Sequence, residues 1–126
     1  MEQIIAFLTA NPTGAFATVD NGVPRVRPWA FMMEGNGKLW FCTSNDKDVY
    51  RELQANPNME FTSWQGFSIL RLSGKVNFSQ DVEMKNKILE NNPGVKSIYK
   101  SSENPVFEIF CLEHGKADLD GKTYEF

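Results

Sequence analysis

The chain has 126 residues, a length that suits one domain (residues 1–126) with a full core. Hydrophobic residues make up 41% and charged residues 23%, which excludes a disordered or collagen-like chain. A net charge of −3 argues against a sequence-independent grip on nucleic acid. The aromatic share stands out at 13%, with ten Phe and three Trp. Side chains of that kind fill a core, cover a partner surface or stack on a planar ligand.

In chain order, Ile4, Ile5 and Leu8 share one face, so residues 2–10 read as a helix that Asn11-Pro12-Thr13-Gly14 stops. Residues 15–19 read as a strand. Asn21-Gly22 then turns the chain into a second strand over 23–33, and Asn36-Gly37 into a third over 38–43. A helix follows to about residue 55, with Ser44 or Asn45 expected to cap it and Val49, Tyr50 and Leu53 as its apolar face. Strands over 59–64 and 67–78 flank Gln65-Gly66, and Gly74 suggests a bulge or bend in the second of them. A helix over 79–90 ends at Asn92-Pro93-Gly94, and 95–100 adds a short helical turn. A last strand over 106–118 alternates Phe107, Ile109 and Cys111 against Glu108, Phe110 and Leu112, before a turn at Asp120-Gly121 and a short tail. This makes a mainly β protein: a six-stranded antiparallel barrel, closed or split, with three to four short helices, since closure hides strand edges.

Cys42 and Cys111 lie far apart in apolar runs and form no C-x-x-C motif. With the single histidine, His114, they fall short of the four ligands of a structural zinc site, and they read as buried reduced thiols in a cytoplasmic protein. No nucleophile motif accompanies His114, and no apolar run is long enough to span a bilayer.

Three features bear on function. Arg25 and Arg27 stand two apart on one strand and therefore on one face, where a phosphate suits them. A solvated pair facing acids is the alternative. Thr43-Ser44-Asn45-Asp46-Lys47 leaves a strand for a helix start, where free N–H groups, hydroxyls and the Lys47 charge favour an anion; plain capping is the alternative. Trp29, Trp40, Phe41 and Trp64 are expected nearby. A phosphate corner beside flat side chains suits an aromatic phosphoester such as FMN or pyridoxal phosphate. The chain has no G-x-G-x-x-G or Walker A motif.

The Pro24-Arg25-Val26-Arg27-Pro28 run, the Gly37-Lys38-Leu39-Trp40-Phe41-Cys42-Thr43 strand, Lys47 at the next helix and Asn56-Pro57 occur in an order that resembles the pyridoxamine 5′-phosphate oxidase-like FMN-binding split barrels. The likeness covers nearly the whole chain and is nearest to the short, nitroimidazole-reductase-like members. It implies a homodimer with FMN at the interface. It also implies that Arg27 and Lys47 contact the phosphate, with Arg25 as a second contact. Val26, Pro28 and Trp29 would run their backbone past the isoalloxazine ring, and Cys42, Thr43 and Ser44 would lie at the phosphate and ribityl end. Asp46 stands where the oxidase commonly has Arg, and the tail lacks the oxidase's Arg and His, so pyridoxamine phosphate is not the expected substrate. The implied activity is flavin-dependent reduction of a small molecule, with NAD(P)H as possible donor. An electron carrier or flavin store is the alternative. Some family relatives hold a deazaflavin or haem, and a haem-binding split barrel using His114 as ligand is a third reading of this chain.

Overall fold

A computed structural model describes residues 1–126. The elements in order are α1 (Glu2–Ala10), β1 (Thr13–Asp20), β2 (Val23–Ala30), β3 (Met33–Gly35), β4 (Lys38–Ser44), α2 (Asp48–Ala55), β5 (Asn58–Gln65), β6 (Ser68–Lys75), β7 (Asn77–Ser79), α3 (Val82–Asn91), α4 (Pro93–Tyr99), β8 (Phe107–Leu112), β9 (Gly115–Leu119) and β10 (Lys122–Glu125). One sheet runs β10-β9-β6-β5-β1-β2 and the other β3-β4-β8-β7, every pairing antiparallel. They curl around one core without closing into a single ladder, a split barrel with four helices.

The six expected strands resolve into ten segments. Three long strands each change sheets at a corner, and the tail forms β10. At the first corner the Phe31 N–H donates to Pro12 and the Met32 N–H to the Trp40 carbonyl, so consecutive residues bond to different sheets. At the second, the Val76 N–H donates to Pro57 between β6 and β7. Glu113 and His114 make the third, between β8 and β9. Apolar alternation continues through such corners because both sheets face one core, so the sequence shows long strands where the backbone switches partners. The tight turns follow their sequence signals: Asn21 and Gly22 have φ 51° and 80°, Asn36 and Gly37 have 54° and 75°.

The barrel core gathers Phe16, Phe41, Phe61, Phe110, Leu70 and Leu72 with Ile4 and Leu8 of α1 and Val49 and Leu53 of α2. A second cluster lies on the far side of the four-stranded sheet, where Trp40, Phe107, Ile109 and Cys111 pack under Met84, Ile88 and Leu89 of α3 and Tyr99 of α4. All six residues of β8 are therefore buried, although their faces alternate as expected.

β1 and β5 approach closely at Gly14, whose backbone faces Ser63 in register. A Cβ there would lie 1.9 Å from the Thr62 carbonyl oxygen. Gly14→Ala is expected to cost about 2–3 kcal/mol of stability through this overlap. Urea denaturation measures it, and an unchanged midpoint would mean that the strands can part without loss.

Candidate functional site

The inward face of the β1–β2 hairpin carries Phe16 and Thr18 opposite Arg27 and Arg25. α2 lies across the end of this hairpin. Together they line a cavity of about 440 Å³ formed by Asp20, Arg25, Val26, Arg27, Trp29, Lys47, Asp48, Val49, Arg51 and Glu52. The structure thus brings Arg25, Arg27, Trp29 and Lys47 together, as the sequence suggests, although β2 is paired to β1 and not to the strand that ends at Ser44.

The four cations here differ in their surroundings. The Arg27 guanidinium donates to Glu52 Oε1 (2.6 Å), Thr18 Oγ1 (2.9 Å) and the Phe16 carbonyl (3.4 Å). Thr18 Oγ1 in turn donates to Glu52 Oε1 (2.5 Å). Arg25 and Arg51 share Asp20, at 3.5 and 3.3 Å. Lys47 has no carboxylate within ion-pair distance, and its Nζ stands 5.7 Å from the centre of the Trp29 ring. An unpaired ammonium over an indole, flanked by arginines, is a place for an anion attached to a flat group.

Glu52 and Arg51 carry no sequence motif, yet both leave a trace. Arg51 lies in the first turn of α2, one turn beyond Lys47 at its N-cap. Glu52 falls between Val49 and Leu53 on the buried stripe of α2, where a carboxylate needs a partner. Burial works to raise the Glu52 pKa, but the hydrogen bonds from Thr18 and Arg27 and the Arg27 charge hold it below the ordinary carboxylate value. At Asp20 the hydrogen bond and charge of Arg51 act first, with those of Arg25, and lower its pKa as well.

On β4, Leu39, Phe41 and Thr43 face the barrel, while Trp40, Cys42 and Ser44 face the α3–α4 layer. Thr43 Oγ1 is buried without a hydrogen-bond partner in the chain. Burial pushes the Cys42 thiol up to about 12, against the pull of the Lys47 charge, so it is no nucleophile at neutral pH. The Ser44 hydroxyl shares a hydrogen bond of 2.5 Å with Tyr99 and does not cap α2. Asn45 instead donates to the Pro105 carbonyl and to Glu108, and α2 starts after Lys47 with no side-chain cap. Ser44 thus pins the β4–α2 turn to α4, and Asn45 pins it to the start of β8.

The tryptophans separate. Trp29 lines the cation cavity. Trp40 is buried with its Nε1–H on the Gly35 carbonyl (2.8 Å), and Phe41 belongs to the barrel core, so neither lies at the cation corner. Trp64 stands on the outer sheet face beside Pro28, in an apolar hollow of about 410 Å³ lined also by Thr13, Gly14, Ala15, Val26 and Arg27. This hollow and the cation cavity share Val26 and Arg27, so β2 runs between them. His114 lines neither.

The sequence matches the family Pyridoxamine 5′-phosphate oxidase over residues 1–116. Among solved structures, it resembles a NimC/NimA family protein from Clostridium acetobutylicum, with TM-score 0.92 and 26% identity over 100% of this chain and 93% of that one. General Stress Protein 26 from Bacillus anthracis has TM-score 0.85 and 19% identity, over 99% and 97%. A putative pyridoxamine 5′-phosphate oxidase from Listeria innocua has 0.78 and 18%, over 96% and 98%. No curated protein matches the sequence significantly.

Because the folded Glu52 pKa is depressed, its network adds stability that is complete above the ordinary carboxylate value and is lost as pH falls through the lowered value. Glu52→Gln should therefore melt well below the wild type at about pH 7 and by a smaller margin at about pH 3. Thermal melts at both pH values test this. An equal gap at both would show that the Glu52 charge is not what matters.

Proposed function

Starting from a chain that belongs to the pyridoxamine 5′-phosphate oxidase family, we propose that it is an FMN-binding flavoprotein that reduces a small molecule. The observation that carries this reading is the unpaired Lys47 ammonium above Trp29, beside Arg25 and Arg51, one strand away from an apolar hollow. A flavin phosphate needs the first feature, and its flat ring needs the second. Thr43, which the resemblance assigns to the ribityl end, has a buried hydroxyl without a partner in the chain but lines neither cavity.

When bound, the flavin supplies the hydride and electron chemistry. The chain's own residues anchor and shape. Lys47, Arg25 and Arg51 would neutralise the phosphate. Val26, Pro28 and Trp29 would border the ring with backbone and apolar surface. Cys42 and Ser44, turned towards α4, would support the corner from behind. No acid–base dyad is required of the protein, which agrees with the carboxylates Asp20 and Glu52 being committed to arginines.

The proposal includes a homodimer. β1, β2, β5 and β6 turn Ala15, Ala17, Val26, Pro28, Thr62, Trp64 and Ile69 to one outer face. Val26 is 70% and Trp64 55% exposed there. The Glu60–Arg71 ion pair shares this face, but its apolar part is stable in water when a second copy covers it, and the hollow at Pro28 and Trp64 would then be closed by the partner. No helix of the structure is long and apolar enough to cross a membrane. Free Cys42 and Cys111 fit a reducing, cytoplasmic setting. A carrier that passes electrons without a substrate of its own is the second reading, favoured by the commitment of the cavity carboxylates Asp20 and Glu52 to arginines. Bleaching by NADH or NADPH without a separate reductase speaks for the enzyme.

Purified protein titrated with FMN should quench flavin fluorescence at micromolar concentrations. Lys47→Ala should weaken binding about ten- to a hundredfold, the value of one charge-assisted bond. Absence of binding by the wild type would sink the reading. Light scattering should give the mass of a dimer, and a monomer at micromolar concentration would contradict the shared site.

A further inference from the structure

The resemblance assigns Arg27 to the phosphate, but its surroundings differ from those of the other cations in the cavity. We infer that Arg27 is a positioning residue and that Lys47, Arg25 and Arg51 hold the phosphate. This rests on the FMN reading above and divides its cations into two classes.

The division follows from what each cation would leave behind on turning to a ligand. Arg25 and Arg51 are 53% and 58% exposed, and the two share one carboxylate, Asp20, which is itself 16% exposed. Surface ion pairs contribute little, because water and salt replace either partner at small cost. A phosphate can draw either arginine while the other stays on Asp20, so no charge is stranded. Lys47 has no carboxylate to leave.

Arg27 is only 21% exposed and Glu52 4%. Three of the guanidinium's directions are filled by Glu52, Thr18 and the Phe16 carbonyl. Turning it outward would strip the close ion pair from a buried carboxylate, leaving Thr18 and a distant Arg51 contact of 3.7 Å. Removing one partner of a buried pair is strongly unfavourable, far beyond the loss of a surface contact. Bringing a phosphate up to Arg27 without moving it would set a second anion against Glu52.

The position of Glu52 gives the pair its purpose. It lies on α2, five residues after Lys47 and next to Arg51, while Arg27 and Thr18 lie on the β2–β1 hairpin. The ion pair therefore ties the helix that carries Arg51, with Lys47 at its N-cap, to the strand that carries Arg25. Arg27 acts on the ligand through Glu52 and α2.

The readout is the preference for FMN over riboflavin, which differ by the phosphate alone, with a melting curve for each variant. Arg51→Ala should fold normally and lower the preference about fivefold or more. Arg27→Ala should lower it as well. Arg27→Gln combined with Glu52→Gln keeps a neutral hydrogen bond and the same net charge, and should restore the preference to within about twofold of wild type. A folded double variant that loses the preference by about tenfold makes Arg27 a ligand and overturns the inference. So does an Arg27→Ala protein that melts lower with its preference intact, which leaves Arg27 a purely structural role, or an Arg51→Ala protein with the wild-type preference. If Arg27→Ala does not fold, the double variant and Arg51→Ala decide. A wild type that binds no flavin, or binds both equally, instead removes the phosphate reading itself.

Discussion

Four phenylalanines, two from each sheet, meet at the centre of the barrel, and the rest of the molecule is arranged around them. Phe16 and Phe61 come from β1 and β5, Phe41 and Phe110 from β4 and β8. Phe41 stacks on Phe110 at 5.7 Å and meets Phe16 and Phe61 edge-on at 5.7 and 5.4 Å. All are fully buried. The sheets share no ladder, so side-chain packing joins them, and large rings that interlock at several angles make that joint both strong and directional. The corners at Phe31, Val76 and Glu113-His114 let single stretches of chain serve both sides of it.

The candidate site begins where this packing stops. Moving along β1 and β2 away from Phe16, the inward positions become Thr18 on one strand and Arg27 and Arg25 on the other, and α2 brings Glu52 to meet them. A barrel end left apolar would need another cover, and one left charged but unpaired would be costly. The Thr18–Arg27–Glu52 network meets both demands and leaves the more exposed cations outside it. Stability and ligand contact are thereby assigned to neighbouring but separate residues. An ion pair inside and loose charges outside allow the outer ones to exchange partners without disturbing the core.

Much of this was legible in the sequence because it depends on local rules. Asn-Gly turns, the Asn-Pro helix stops and the two-residue spacing of Arg25 and Arg27 each have a local geometric meaning. What could not be read depends on partners distant along the chain. Alternation places Trp40 opposite Leu39 and Phe41, but β4 is buried on both faces, so its sequence does not say which face meets the barrel. Ser44 has the chemistry of a helix cap, and only the position of Tyr99, far along the chain, shows why it is otherwise engaged. The corners are invisible for the same reason, since they change hydrogen-bond partners and leave the apolar pattern intact. The place of Arg27 on β2 follows from local pattern, but its commitment to Glu52 depends on how α2 crosses the hairpin.

The separation of the three tryptophans also makes the protein its own reporter. Trp40 is enclosed and hydrogen-bonded, Trp64 looks out from the sheet face, and Trp29 sits under a lysine ammonium at the cavity. Indole emission shifts to the red with polarity and is altered by a nearby charge. Each side chain therefore samples a different region: the helix-covered layer, the outer sheet face, and the cation cavity. Single-tryptophan versions would divide the optical signal by location, so that loosening of one layer, covering of one face and filling of one cavity become three distinguishable events in the same small barrel.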